Sequence, residues 1–169
     1  MAKRVFELAQ VEGGQLGETP PFRAPFRHLC NVLQINDGNI EKAKEYYAND
    51  IKNEIDEASF TQRAQKAWFW IKNYAPEDFK YQINSQVPQI DLTAKEKDFL
   101  SDLASYLETS WDQIESDKAL NDTIYQIIHK FELEPKDVFF KMYQILINRE
   151  KGPKLASFIR SIGKDKILN

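Results

Sequence analysis

Apolar residues in this chain recur at helical spacing, and each run opens on a helix-start signal. Thr93-Ala94-Lys95-Glu96 is a capping-box pattern, and Leu100, Leu103 and Leu107 follow it on one face. Ser116 or Asp117 opens the next run, with Leu120, Ile124, Ile127 or Ile128, and Phe131 inward. Pro135 stands where proline favours a helix, at its first position, and the run continues to about Asn148. Pro153 repeats the device for a shorter helix with Leu155, Phe158, Ile159 and Ile162 inward, stopped by Gly163. Nowhere do Val, Ile and Thr alternate over the length of a strand. The chain is predicted to be all-α.

The first half reads the same way. Residues 2–10 form a helix fragment that begins with no cap, which suggests a chain cut from something longer, and residues 11–21 read as a linker. A helix over 25–36 ends at Asp37-Gly38, and Asn39 caps another from Ile40 to about Asp50. From about Asp56 to Asn73 a longer helix carries Phe60, Ala64, Ala67, Ile71 and, at its frayed end, Ala75 on one stripe. Trp68 and Trp70 flank that stripe and Phe69 lies opposite, so the helix end is expected to pack against two layers or a neighbouring domain. Residues 76–92 are too irregular for a helix and form an ordered connection. Two lobes result, 1–90 and 91–169, the second a four-helix lobe.

Composition removes several function classes. With 169 residues, 42% of them hydrophobic, the chain buries a core, yet no apolar run approaches the roughly 20 residues of a membrane span. The expectation is a soluble, cytoplasmic protein with no membrane partner. One cysteine, Cys30, and two histidines, His28 and His129, supply neither an internal disulfide nor a metal site. Cys30 beside Leu29 and Val32 reads as a small buried hydrophobe, and His129 as structural. No nucleophile stands in a motif with a base, so no catalytic residue is assigned. Gly13-Gly14-Gln15-Leu16-Gly17 lacks the Gly-Lys-Ser/Thr ending of a phosphate loop and reads as linker, so no cofactor is expected in this chain.

Charge is more informative. From Lys141 to Asn169 there are seven cations (Lys141, Arg149, Lys151, Lys154, Arg160, Lys164, Lys166) against Glu150 and Asp165. Residues 91–140 run the other way, with five basic and twelve acidic side chains. Lys151, Gly152, Lys154, Arg160 and Lys164 thus surround the predicted helix start at Pro153, where cations and free backbone N–H groups suit the phosphates and base edges of RNA. Two readings stay open at this point, because Lys164 and Lys166 also complement a helix dipole at its C-terminus. A second patch, Phe22-Arg23-Ala24-Pro25-Phe26-Arg27-His28, combines rings and cations suited to unpaired bases. Its alternative is that Phe22 and Phe26 anchor the core and Arg27 forms an internal salt bridge. Trp68 and Trp70 read as packing residues.

These same segments resemble a known family. Phe139-Phe140-Lys141-Met142-Tyr143-Gln144-Ile145-Leu146-Ile147-Asn148, then Glu150-Lys151-Gly152-Pro153-Lys154-Leu155 and Phe158-Ile159-Arg160-Ser161-Ile162-Gly163-Lys164, resemble the end of class I lysyl-tRNA synthetases. Pro25-Phe26-Arg27-His28-Leu29 with Leu33-Gln34-Ile35, Trp70-Ile71-Lys72-Asn73-Tyr74-Ala75-Pro76-Glu77 and Arg4-Val5-Phe6-Glu7-Leu8 are similar to the same family, in order along the chain. The Gly-Pro-x-Leu element is shared with glutamyl-tRNA synthetases. The sequence departs from the usual pattern at Asn148-Arg149 and at Ala156-Ser157.

The resemblance implies a helix bundle followed by an α-helix cage that binds the anticodon stem and loop of lysine tRNA. It also implies an upstream catalytic Rossmann domain, absent from this sequence, that would bind ATP and lysine. Arg23, Arg27, His28, Lys151, Gly152, Lys154, Arg160 and Lys164 are the expected RNA-binding residues. The competing expectations are a helical protein-interaction module, marked by the apolar surface around Trp68–Ile71, and the anticodon domain of a glutamyl-type enzyme.

Overall fold

The start signals read from the sequence are made as hydrogen bonds in the computed structural model, which describes residues 20–86 and 88–168. Among the described residues all regular structure is helical: α1 (Phe26–Ile35), α2 (Ile40–Glu45), α3 (Glu54–Asn73), α4 (Ala94–Ser110), α5 (Asp117–Lys130), α6 (Pro135–Ile147), α7 (Leu155–Ile162) and α8 (Lys164–Leu168), with a 3₁₀ turn at Trp111–Gln113. The fold is all-α. The fragment at 2–10, the stretch Gly13 to Gly17 and most of the 11–21 linker lie outside the described residues.

Thr93 Oγ1 accepts from Glu96 N–H at 3.3 Å while the Glu96 carboxylate accepts from Thr93 N–H at 2.7 Å, which completes the capping box. Asn39 and Ser116 cap α2 and α5 through Lys42 N–H and Ala119 N–H, both within 3.1 Å. Asn148, at φ 52°, closes α6 in the left-handed conformation.

Four expectations need correction. The helix at Asp56 begins at Glu54, because Asn53 accepts from Asp56 N–H at 2.9 Å. Asp56 itself turns inward, where its carboxylate takes N–H groups of Phe22 (2.7 Å) and Lys52 (3.1 Å). α2 stops at Glu45 rather than near Asp50, since the following residues tighten into i→i−3 turns such as Tyr47 N–H to Lys44 O at 2.9 Å. α7 begins at Leu155, so Pro153 is not its first residue but stands before the cap, Lys154. Finally, Lys164 does not trail loosely behind α7 but opens α8, which adds a fifth α-helix to the four expected in the second half.

Buried apolar side chains gather in two clusters. One is formed by α1, α2 and α3 around Leu29, Leu33, Phe60 and Ala64, and the other by α4 to α7 around Phe99, Leu120, Ile124 and Phe158. Ile35, at the end of α1, belongs to the second cluster. Between α1 and α2, Gly38 sits at φ 77° under the Trp68 indole, and a Cβ there would lie 2.2 Å from the ring. Trp70 is covered by Phe26 and Phe79, with ring centroids 5.3 and 5.2 Å away. Phe69 is different. It remains 60% exposed beside Tyr74, 69% exposed, so the second covering layer expected for this helix end is not present among the described residues.

The irregular connection joins the clusters. Asn84 donates from its side chain to Gln144 O and Ile145 O and from its backbone to Leu146 O, so it satisfies carbonyls at the end of α6, sharing that of Gln144 with the Asn148 N–H. Arg149 Nη2 donates to Glu77 O (3.0 Å) and Lys80 O (2.7 Å). Tyr81 offers its N–H to Gln34 Oε1 at 2.9 Å and lays its ring edge-on against Phe158. A last tie runs from Tyr46 Oη to Ser161 O at 2.7 Å.

Candidate nucleic-acid interface

The loop between α6 and α7 is set by what lies beneath it. Tyr143 donates its hydroxyl to Pro153 O, and its ring comes so close under Gly152 that a Cβ there would sit 2.8 Å from it. Only glycine allows that approach. The loop bends at Pro153, and Lys151, Gly152 and Pro153 line a cleft together with residues of α1 and the connection. Lys154 has no acceptor side chain with which to cap α7, so the first N–H groups of that helix receive no side-chain partner.

Two clefts flank the junction. One, of about 220 Å³, is lined by Arg27 and Asn31 of α1, Phe79 and Tyr81 of the connection, and Arg149, Lys151 and Gly152. Sequence placed Arg27 and Lys151 in separate patches, and the fold puts them on one cleft. The other, of about 440 Å³, brings His28 and Tyr46 together with Trp111, Asp117 and Arg160. Arg23 stands apart, in a third cleft with Phe26, Arg63, Lys66 and Trp70. Lys154 and Lys164 line none of these three clefts.

Their electrostatic states also differ. Lys151, Lys154, Lys164 and Arg27 have no ion-pair or side-chain hydrogen-bond partner among the described residues, whereas Arg160 is paired with Asp117 at 2.5 Å. Arg160 therefore offers less free charge than its place in the sequence suggests, because α5 returns Asp117 beside it. His28 Nδ1 is 2.7 Å from Tyr47 Oη. Burial lowers the His28 pKa from its ordinary 6.5, and the Asp117 carboxylate only partly opposes this. Cys30 is buried as expected, and burial pushes its thiol up to about 11 despite Arg63.

Arg149 and Tyr81 escaped the sequence reading as site residues. Both bond to partners from far along the chain, and Arg149 was marked in the sequence only by its place among the seven cations of residues 141–169 and by its departure from the family pattern.

The sequence is similar to lysine-tRNA ligases. It is 34% identical over 169 residues to that of Treponema pallidum, an overlap of 98% of this chain and 30% of that protein. With the lysine-tRNA ligase of Borreliella burgdorferi it shares 33% over 165 residues, 97% of this chain and 31% of the relative. The lysine-tRNA ligase of Methanosphaera stadtmanae is 26% identical over 178 residues, 98% of this chain and 33% of the relative. The chain thus spans about a third of the length of the curated relatives it matches. No protein-family profile matches it. No helix among the described residues is long and apolar enough to cross a membrane.

Proposed function

We propose that this chain is the non-catalytic, tRNA-reading part of a class I lysine-tRNA ligase: a helix bundle and an α-helix cage, divided near residue 90, acting in the cytoplasm. The observation that carries the reading is the similarity to lysine-tRNA ligases along 98% of the chain, in a region about a third of their length. The cleft shared by Arg27, Lys151 and Gly152 supports it, because cations and an aromatic wall around a glycine loop suit an unpaired anticodon. ATP and lysine would be bound by a catalytic domain upstream, which is also the protein partner of this region.

In this mechanism the unpaired uridines of the anticodon loop enter the junction beside the 151–154 loop. Lys151 and Lys154, both without an ion pair among the described residues, neutralise phosphate. Arg27 reaches the same strand from α1, and Gly152 lets the RNA backbone come close. His28 and the Asp117-paired Arg160 line the neighbouring cleft, while Arg23 and Lys164 make outlying phosphate contacts. No bond chemistry is assigned to these residues.

The test is binding of this chain to a lysine tRNA transcript, to the same transcript with its central and 3′ anticodon uridines replaced, and to a glutamate tRNA transcript, across a salt series. Selective loss with the altered anticodon supports the reading. Equal binding to all three leaves a non-specific basic surface, and preference for the glutamate transcript gives a glutamyl-type domain. One observation favours a second reading, a protein-interaction surface: the exposed pair Phe69 and Tyr74. It predicts no RNA binding and salt-tolerant association with a protein partner.

A further inference from the structure

The three most exposed large apolar side chains among the described residues belong to α3 and its cap: Tyr74 at 69%, Ile55 at 68% and Phe69 at 60%. Ile55, Gln62, Lys66, Phe69 and Asn73 recur at helical spacing on one side of α3, all exposed, opposite the buried Phe60, Ala64 and Ile71. The rings of Phe69 and Tyr74 meet at 5.9 Å, so the end of this side is an apolar patch rather than two scattered side chains. A patch of that kind marks a surface that something covers.

The charge beside it is one-sided. After Glu57, α3 has no acid but carries Arg63, Lys66 and Lys72. A cleft of about 410 Å³ along this helix is lined by Arg23, Phe26, Arg63, Lys66 and Trp70, and by no acid. The Lys66 side chain has no partner among the described residues. Phosphate alone would pair the cations and leave both rings in water. The occupant therefore brings carboxylates together with apolar side chains.

The chain itself arrives at this face. Phe22 donates its N–H to the Asp56 carboxylate at 2.7 Å, Ala24 O accepts from Arg63 Nε at 2.9 Å, and the Phe26 ring lies 5.3 Å from that of Trp70. Residues 22–26 thus run along α3 from its first turn toward its last, and what precedes them enters at the first turn, which carries Ile55. Residues 5–19 hold three acids, Glu7, Glu12 and Glu18, no cation, and the apolar Val5, Phe6, Leu8, Val11 and Leu16. Phe69 stands 13 residues beyond Asp56, about 20 Å along the helix. The 15 residues from Val5 to Pro20 span about 22 Å even at the rise of a helix, and more when extended, so they reach it.

We propose that residues 5–19 fold back over the outward side of α3, their carboxylates at the cleft of Arg63 and Lys66 and their apolar side chains on Phe69 and Tyr74. This gives the exposed pair of the protein-interaction reading an occupant from the same chain, and it does not rest on the tRNA reading. An RNA phosphate that reaches Arg23 would displace a carboxylate there.

Hydrogen exchange of residues 5–19 is followed by mass spectrometry in the full chain, at low and high concentration, and in a synthetic peptide of residues 1–20. Lys66→Glu, and Phe69→Asp with Tyr74→Asp, are the variants, all at exposed positions, and exchange in α5 read in the same run reports whether each is folded. Residues 5–19 are expected to exchange at least roughly tenfold more slowly in the full chain than in the peptide, equally at both concentrations. Each variant should lose most of that protection. Peptide-like exchange in the full chain overturns the proposal without any variant and leaves the face to a separate protein or an RNA. Protection unchanged in both variants also overturns it, and protection that grows with concentration gives the face to a second copy of the chain. Binding of lysine tRNA, measured apart, decides only the tRNA reading.

Discussion

The two apolar clusters are closed by different materials. In the first, small residues such as Ala24, Ala43 and Ala64 let α1, α2 and α3 approach, and tilted rings pack together beside them, as in Phe22–Tyr47 at 5.7 Å and Tyr47–Phe60 at 5.2 Å. The second is filled mainly by Leu120, Ile124, Ile128 and Ile159, all fully buried. Phe60 is hidden completely, but the first half also shows aromatic surface, with Phe26 44% and Phe69 60% exposed. The aliphatic second half shows mostly charge. Most of the exposed rings therefore lie in the first half and Lys151, Lys154 and Lys164 in the second, while Arg27 of α1 and Lys151 meet on one cleft at the junction.

That contrast can be broken most forcefully from inside. Truncating Phe60 or Phe158 to alanine is expected to cost about 3–5 kcal/mol in either case. Tyr81 and Ile35 tie the clusters together, so each variant should shift one common denaturant transition; two separated transitions would make the halves independent. A smaller effect is expected from Gly38→Ala, about 1–3 kcal/mol, from the left-handed backbone and the overlap with Trp68. A thermal melt followed by tryptophan emission reads it, and an unchanged midpoint would contradict the ring-on-glycine contact.

On the cationic side the effect moves from stability to binding. Lys151→Ala with Lys154→Ala should leave stability within about 0.5 kcal/mol of the parent, because neither side chain has a partner among the described residues to lose. The log–log salt slope of tRNA binding should fall by about 1 for each phosphate contact removed. The smallest effect is expected from protons. His28 has its pKa lowered by burial, so the unfolded chain takes up a proton first as pH falls below 6.5. Stability contributed by neutral His28 is complete above that value and is lost as pH falls toward the folded pKa. His28→Gln should remove this component from the pH profile of the melting temperature.

Local signals made most of the helices legible. The Thr93–Glu96 box, the Asn39 and Ser116 caps, Pro135 at the head of α6 and Gly163 at the end of α7 each act within a few residues of themselves. Phe99 shows the limit of a stripe: it is buried while Leu100, placed inward by spacing, is only partly so. Pro153 misled because its neighbour Gly152 answers to Tyr143, ten residues earlier along the chain than the carbonyl that ring hydroxyl bonds. The candidate site was legible as charge but not as geometry. Nothing near Arg160 announces Asp117, 43 positions away, and nothing near Gln34 announces Tyr81, 47 away.

The connection that binds the clusters also decides how the protein can be cut. A second half lifted out at residue 91 and grafted elsewhere would carry α6 with the carbonyls of Gln144, Ile145 and Leu146 stripped of Asn84, and Phe158 stripped of Tyr81. The transferable piece starts earlier, near Pro76, because Arg149 fastens that stretch through the carbonyls of Glu77 and Lys80.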